Sequence, residues 1–168
     1  MKKDNNPFES IKIYHNILTE DERIILLNDS KPLLQKLQSF PALQTQANLH
    51  LESQNIFNII EKVANKCGIN APVDKSWAIY LDKEIAKETW HSHSESFSEY
   101  SICYMIDNPE GFGTWFRFKD IVYKPECPTN SAIIFSSRLE HTAPANAKKP
   151  RYSLAIDFEN DKINIQYR

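Results

Sequence analysis

The chain of 168 residues is long enough for one domain, and its apolar content of 41% is sufficient for a hydrophobic core. A net charge of −2 provides no overall positive field, which argues against nucleic acid and anionic membranes as partners. Three cysteines without a Cys-x-x-Cys pair indicate neither a disulfide framework nor a zinc knuckle. We therefore expect a soluble, cytoplasmic protein with no membrane segment.

The first 72 residues are predicted to be mainly helical. Thr19 and Glu22 have the spacing of a capping box ahead of four consecutive aliphatic residues. A second short helix is predicted over 33–37. A third is predicted to begin at Ser53 and to end at Gly68, because apolar residues recur between them at helical spacing.

From residue 73 onward the pattern changes to short β-strands. Runs rich in aromatic and β-branched residues recur at short intervals and are separated by turn-forming residues. The predicted strands are 77–81, 89–95, 100–106, 114–118, 131–135, 152–158 and 163–167, with an opening strand at 11–14. This pattern predicts a mainly β fold, a sandwich or barrel, with helices at the N-terminus. We expect a single domain, 1–168, in which 1–72 is a helical support region and 73–168 is the β core.

Three potential metal ligands follow one another on the predicted strand 89–95. Alternate side chains of a strand share a face, so His91, His93 and Glu95 point the same way. A further histidine, His141, follows an apolar run that is predicted to be a strand. Imidazole suits Fe(II), Zn(II), Cu(II) and Ni(II), whereas a carboxylate as third ligand, with coordination positions left open, points to non-haem Fe(II). The pattern predicts an open-sided metal site.

Two sets of ligands from the strand remain open. In extended geometry His91 and Glu95 lie about 13 Å apart, too far for one ion to reach both. The strand therefore contributes either His91 with His93 or His93 with Glu95. His141 completes the site in both cases.

A cation follows the distal histidine at a short interval. Arg151 stands ten residues after His141, and Ser153 lies two residues further, hence on the same face of the predicted strand. A guanidinium group donates two parallel charge-assisted hydrogen bonds to a carboxylate, and a serine hydroxyl adds another donor. These residues predict a site for an acidic small molecule beside the metal.

Residues 77–158 resemble the 2-oxoglutarate- and Fe(II)-dependent oxygenase superfamily. The matching motifs are His93-Ser94-Glu95 or His91-Ser92-His93, then His141, then Arg151-Tyr152-Ser153. The segment 101–105 resembles the family's strand ending in Tyr-Tyr-Leu, and Tyr104 matches its second tyrosine. The segment 130–136 resembles a further family strand, with Asn130 in place of the usual glycine. The order of motifs is most similar to a bacterial and phage branch with Trp…His-x-His…Tyr…Phe…His…Arg.

The resemblance implies a double-stranded β-helix, the jelly-roll fold that cupins share. It also implies Fe(II) and 2-oxoglutarate as cofactors, with O2 and an unidentified substrate as partners. The implied reaction is oxidative decarboxylation of 2-oxoglutarate to succinate and CO2, coupled to hydroxylation of the substrate, with no catalytic residue beyond the metal centre. The implied metal ligands are His91, His93 and His141, with Glu95 as the alternative third ligand. The implied 2-oxoglutarate-binding residues are Arg151, Ser153 and Tyr104.

Two other functions fit parts of the pattern. A cupin-type metal-binding protein often combines His-x-His, a glutamate and a later histidine, and Glu99 and Asn146 loosely imitate that arrangement. Cupin glycines are missing, however, and a cupin has no use for Arg151 at this position. A non-enzymatic jelly-roll binding module with incidental histidines is the third possibility.

Overall fold

The computed structural model describes residues 7–37, 42–82, 88–93, 98–144 and 148–159. Two α-helices lie in this part of the chain, α1 (Glu20–Ser30) and α2 (Gln54–Lys66), with short 3-10 helices at Pro7–Ser10, Lys31–Leu33 and Leu49–Leu51. The strands found there are β1 (Lys12–His15), β2 (Gln35–Lys36), β3 (Leu43–Gln44), β4 (Val73–Leu81), β5 (Tyr100–Asp107), β6 (Trp115–Phe118), β7 (Ile121–Tyr123), β8 (Ser131–Ser136), β9 (Glu140–Thr142) and β10 (Arg151–Phe158). None of the described helices is both long enough and apolar enough to cross a membrane.

Capping residues set the ends of both α-helices. The backbone N–H of Thr19 donates to the Glu22 carboxylate (2.9 Å), and the Thr19 hydroxyl accepts from the backbone N–H of Glu22, which confirms the capping box. The Ser53 hydroxyl accepts from the backbone N–H of Ile56 at the start of α2. Gly68 follows the end of α2 with a φ of +79°, a left-handed conformation that favours glycine.

The helix predicted over 33–37 is wrong. Lys31–Leu33 forms a single 3-10 turn, and Gln35–Lys36 is strand β2, which pairs with β3. Pro32 lies in the first turn, where proline is tolerated, so the pairing of Gln35–Lys36 with Leu43–Gln44 is what sets the extended conformation. The chain leaves the helical conformation directly after that turn.

The strand predicted over 89–95 is not a regular strand in its described part, 89–93. His91 alone forms a β-bridge, with His141, while the neighbouring N–H groups of Thr89 and His93 donate to the Thr142 hydroxyl and the Ser137 carbonyl oxygen. The segment therefore uses scattered partners instead of one continuous ladder. Glu95 and the predicted strand 163–167 lie outside the described residues.

The strands form two antiparallel sheets. The large sheet has the order β1-β8-β5-β10-β4-β3-β2 and the small sheet the order β7-β6-β9. Phe116 of the small sheet packs on Phe135 of the large one, with ring centroids 4.9 Å apart, so the two sheets face each other as in a jelly roll. Because β1, β2 and β3 come from the first 72 residues, that region contributes edge strands as well as helices. The single-domain boundary 1–168 stays a prediction.

Alternation along β10 separates two cores. Leu154, Ile156 and Phe158 pack with the buried faces of α1 and α2. The intervening residues of β10 face the small sheet, beside a second apolar core. That row consists of Arg151, Ser153, Ala155 and Asp157, and three of these four side chains are polar. The interior between the sheets is therefore where polar chemistry is concentrated.

Candidate metal centre

A cavity of about 90 Å³ lies between the two sheets. By the same measure a single water molecule requires about 10–15 Å³, so the cavity can hold a small organic acid. Its walls combine the apolar side chains of Trp77, Ile79 and Phe135 with the polar groups of His91, His93, His141, Arg151 and Ser153. Every predicted site residue of the described part except Tyr104 lies at this cavity.

Three histidines from two distant segments meet at one side of the cavity. The backbone N–H of His91 donates to the His141 carbonyl oxygen (3.0 Å), and that of His141 donates back to His91 (2.8 Å). This reciprocal pair brings β9 against the segment 88–93, and the His93 ring lies 4.9 Å from the His141 ring between centroids. One possible ligand atom of each histidine lies within 4.8 Å of the other two. The described residues thus place His91, His93 and His141 around one point.

Hydrogen bonds to Nδ1 define the tautomer of each ring. In all three histidines Nδ1 donates to an oxygen: Thr89 O for His91 (3.1 Å), Asp157 Oδ1 for His93 (3.0 Å) and Leu139 O for His141 (2.9 Å). Carbonyl and carboxylate oxygens can only accept, so the proton resides on Nδ1 and the lone pair on Nε2. Three Nε2 lone pairs in one cluster are a donor set suited to a transition-metal ion.

The environment keeps His91 and His141 in the neutral form that metals require. The pKa of His141 is lowered to about 3, chiefly by burial and in smaller part by the nearby His91 and His93. Burial is also the main reason why the pKa of His91 is lowered. Both rings are therefore unprotonated at neutral pH and available as ligands.

Arg151 brings a buried positive charge to the same cavity. Its side chain is 4% exposed, and Nη1 donates to the carbonyl oxygen of Phe112 (3.1 Å). Burial lowers the pKa of Arg151, yet a guanidinium stays protonated in proteins. No carboxylate of the described residues lies within ion-pair distance of it, and burial raises the pKa of the neighbouring Cys127 thiol, which remains neutral. Such a charge is costly unless an anion joins it.

Ser153 adds an unsatisfied donor two residues from Arg151. Its side chain is 1% exposed, and its hydroxyl has no hydrogen-bond partner among the described residues. Buried hydroxyls are normally paired, so this oxygen marks a position where a ligand supplies the partner. A carboxylate bound between Arg151 and Ser153 would satisfy both groups.

Tyr104 departs from the prediction. It is fully buried in the core beneath the helices, on the face of β5 opposite the cavity, and its hydroxyl donates to Asn130 Oδ1 (2.9 Å). Cys103, the next residue along β5, takes the position that faces the cavity. Tyr104 is therefore removed from the predicted binding residues, because strand alternation places it on the other side of the sheet. Asn130 itself has a φ of +61°, which explains why glycine suits that position.

Tyr104→Phe is expected to lower the free energy of unfolding by about 0.5–1.5 kcal/mol, the usual net value of one hydrogen bond. It is expected to leave the affinity of the cavity for any ligand unchanged, because the hydroxyl points away from it. Chemical denaturation and ligand titration of the same preparations measure both quantities. A loss of ligand affinity at unchanged stability would contradict the placement of Tyr104.

Sequence reasoning missed Asp157 and Ser101, which both contact the His93 ring. For Asp157, the alternation of side chains along β10 was a usable signal in the sequence. Counting in steps of two from Arg151 through Ser153 leads to Asp157, so all three share the cavity-facing side. Nothing in the sequence, however, indicated that His93 would lie opposite that end of the strand.

No family model and no curated protein matches this sequence. Solved structures do match its fold. SnoN, a non-haem alpha-ketoglutarate-dependent epimerase from nogalamycin biosynthesis, aligns over 96% of this chain and 88% of its own, with a TM-score of 0.68 and 12% identity. A Trichoplax adhaerens prolyl hydroxylase in complex with a hypoxia-inducible-factor peptide aligns over 93% and 87%, with a TM-score of 0.65 and 12% identity.

A 2OG-Fe(II) oxygenase family oxidoreductase from Burkholderia pseudomallei is similar at the same level, with a TM-score of 0.66, 10% identity and alignment over 94% of this chain and 88% of its own. At such low identity these likenesses establish the fold. The chain has the jelly-roll fold of 2-oxoglutarate-dependent oxygenases, with N-terminal helices, which confirms the predicted fold class.

Proposed function

We propose that this chain is a non-haem Fe(II)- and 2-oxoglutarate-dependent dioxygenase that hydroxylates a substrate still to be identified. The observation that supports this most strongly is the composition of one cavity. A cluster of three histidines lies in the same cavity as a buried cation, Arg151, and a hydroxyl without a hydrogen-bond partner among the described residues, Ser153. The proposal joins this geometry to a fold whose solved examples include alpha-ketoglutarate-dependent enzymes.

The residues fit both cofactors. His91, His93 and His141 would hold Fe(II) through Nε2, each ring being oriented by the hydrogen bond at Nδ1. Arg151 and Ser153 would bind the far carboxylate of 2-oxoglutarate, because both face the cavity and neither has an anionic partner among the described residues. Glu95 remains the alternative third ligand by sequence alone.

Bound Fe(II), with 2-oxoglutarate and O2, would supply oxidative decarboxylation of the cosubstrate to succinate and CO2, coupled to hydroxylation of a substrate C–H bond. The protein's part is to position the reactants. The three histidines would hold the ion at one side of the cavity, and Arg151 and Ser153 would hold the cosubstrate beside it. Trp77, Ile79 and Phe135 line the cavity with apolar surface, which limits water at the reacting groups. No side chain has to act as an acid or base.

The cupin alternative rested on two residues, and the one that the structure describes does not support it. Glu99 is exposed and is not part of the histidine cluster, while Asn146 lies outside the described residues. A cupin-type metal site would also leave the buried Arg151 unexplained. The buried Arg151 therefore favours the oxygenase over a cupin. The histidine cluster and Arg151, found in one cavity, also argue against incidental histidines in a binding module.

The proposal is tested by titrating anaerobic protein with Fe(II) and then with 2-oxoglutarate. We expect one Fe(II) per chain and a weak visible charge-transfer band that saturates with the cosubstrate. Succinate in place of 2-oxoglutarate is the matched control and should produce no band, because it lacks the 2-oxo group that chelates the metal. Iron binding without the band would favour a cupin-type site, and no metal binding would favour a binding module.

His91→Ala is expected to weaken Fe(II) binding far more than Glu95→Ala, because His91 belongs to the observed cluster and donates its Nδ1–H to Thr89 O. Both variants are compared with the wild type by anaerobic calorimetric titration. The reverse order of effects would assign the third ligand to Glu95 and would make His91 a neighbour of the site.

We also propose that the protein works in the cytoplasm. Its three cysteines, Cys67, Cys103 and Cys127, are buried free thiols, as suits a reducing compartment. Fractionation of cells that produce the unaltered chain, followed by detection of the protein in each fraction, would test this.

A further inference from the structure

A buried carboxylate lies directly behind the histidine cluster. Asp157, near the end of β10, is 3% exposed, and its Oδ1 accepts a hydrogen bond from Nδ1 of His93 (3.0 Å). The other two histidines of the cluster donate to backbone carbonyl oxygens instead. Among the described residues, the Nδ1 of His93 is thus bonded to an acidic side chain, Asp157.

Two serines complete the network around Asp157. The Ser101 hydroxyl donates to Asp157 Oδ1 (2.5 Å), and because that is its only proton, it accepts from the Ser137 hydroxyl (2.9 Å). The Ser101 oxygen also lies 3.1 Å from Nδ1 of His93, so it shares the ring proton with Asp157. The backbone N–H of His93 donates to the Ser137 carbonyl oxygen (2.7 Å). Ring and backbone of His93 are therefore held by the same few residues.

The ligand set makes this carboxylate significant. The cluster within the described residues consists of three histidines, and an imidazole ligand brings no negative charge to a divalent ion. A carboxylate that accepts the Nδ1–H of a ligand histidine orients the ring and raises the basicity of Nε2. Asp157 stands where it can supply the missing negative charge through His93 without itself joining the cluster.

We propose that Asp157 is a positioning residue for the metal, holding His93 in the Nδ1–H tautomer and strengthening its Nε2 as a ligand. This rests on the proposed function only in taking the histidine cluster as a metal site. The competing role is structural: Asp157 would merely fasten the segment 88–93 to the large sheet. A structural role predicts a loss of stability on substitution, with no specific effect on the metal.

The first test is the affinity of the protein for Co(II), a spectroscopically visible substitute for Fe(II), measured by calorimetric titration without 2-oxoglutarate. Asp157→Asn keeps the shape of the side chain but removes the charge, and its amide can donate to Nδ1 and favour the opposite tautomer. We expect Co(II) binding to weaken about 10- to 100-fold, the usual effect of losing such a partner. Asp107→Asn is the matched control, because Asp107 ends the neighbouring strand β5 outside the cavity and should bind Co(II) like the wild type.

The second test requires neither a metal ion nor the Asp157→Asn variant. Long-range proton–nitrogen NMR of histidine-labelled, metal-free wild-type protein reports the tautomer of each ring, with His93 assigned by its absence in His93→Gln. We expect His93 as the Nδ1–H form in the wild type. The Nε2–H form there, or unchanged Co(II) affinity in Asp157→Asn, would overturn the role of Asp157. If the wild-type protein binds no Co(II) at all, the metal site itself and the proposed function fail.

Discussion

Arg151→Met is expected to bind 2-oxoglutarate at least about 30-fold more weakly than the wild type, yet to be no less stable without it. Truncating one partner of a buried, hydrogen-bonded charge pair costs about 2–5 kcal/mol, and each 1.4 kcal/mol corresponds to a factor of ten in Kd. The anionic partner in this case would be the ligand carboxylate, so the whole penalty falls on the complex.

The expected stability follows from the surroundings of Arg151 in the unliganded protein. The side chain is 4% exposed and, within the described residues, has no carboxylate in ion-pair range. Replacing a buried charge with an apolar side chain of similar volume is often neutral or stabilising. Loss of the hydrogen bond to the Phe112 carbonyl oxygen opposes this effect, because it lowers the free energy of unfolding by about 1–3 kcal/mol. We therefore expect an equal or higher melting temperature for metal-free Arg151→Met.

The measurement is the amplitude of the charge-transfer band against 2-oxoglutarate concentration, with a thermal melt of the same protein. Arg138→Met is the matched control, because Arg138 is exposed and does not line the cavity. Arg151→Lys keeps the charge but not the two parallel donors, and an intermediate Kd is expected. Undiminished binding by Arg151→Met would remove the assignment of the cosubstrate site.

His141→Leu is expected to weaken Fe(II) binding by more than the roughly 10- to 100-fold typical of residues that only orient a ligand. His141 is the member of the cluster that comes from the small sheet, and its Nδ1–H is directed at Leu139 O, so Nε2 carries the lone pair. Because the ring is buried and neutral, an apolar residue in its place should not unfold the protein. Anaerobic calorimetry and metal content per purified chain measure the effect.

His50→Leu is the matched control for that variant. His50 is also buried, at 8% exposure against 6% for His141, but its Nδ1 bonds to the Ser76 hydroxyl outside the cavity. The His50→Leu variant should be somewhat less stable than the wild type and should bind Fe(II) equally well. Equal Fe(II) binding by His141→Leu and the wild type would show that the three rings meet without holding an ion.

Much of the local structure was predictable because its causes are local. The capping box at Thr19, the helix that begins at Ser53 and most strands after residue 73 follow from hydrogen bonds and periodicities within a few residues. The failures arose where pairing with other segments decided the conformation. Gln35–Lys36 pairs with β3 instead of continuing a helix, and 89–93 bonds to Ser137, His141 and Thr142 instead of joining a continuous strand.

The candidate site was likewise predicted in part from the sequence. Residue types and spacing indicated His91, His93, His141, Arg151 and Ser153, and the structure brings all five to one cavity. Tyr104 was misplaced because a motif match assigned it to the wrong face of β5. Asp157 was overlooked because its significance depends on a partner 64 positions away.

The sequence by itself determined which chemical groups are available and which of them share a face of one strand, since side chains alternate at a period of two. Only the tertiary structure decided which faces meet. The bridge between residues 91 and 141 and the position of Asp157 behind His93 depend on the register between segments far apart in the chain. Register is set by how both sheets bury their apolar rows together, a property of the whole fold that no short pattern contains.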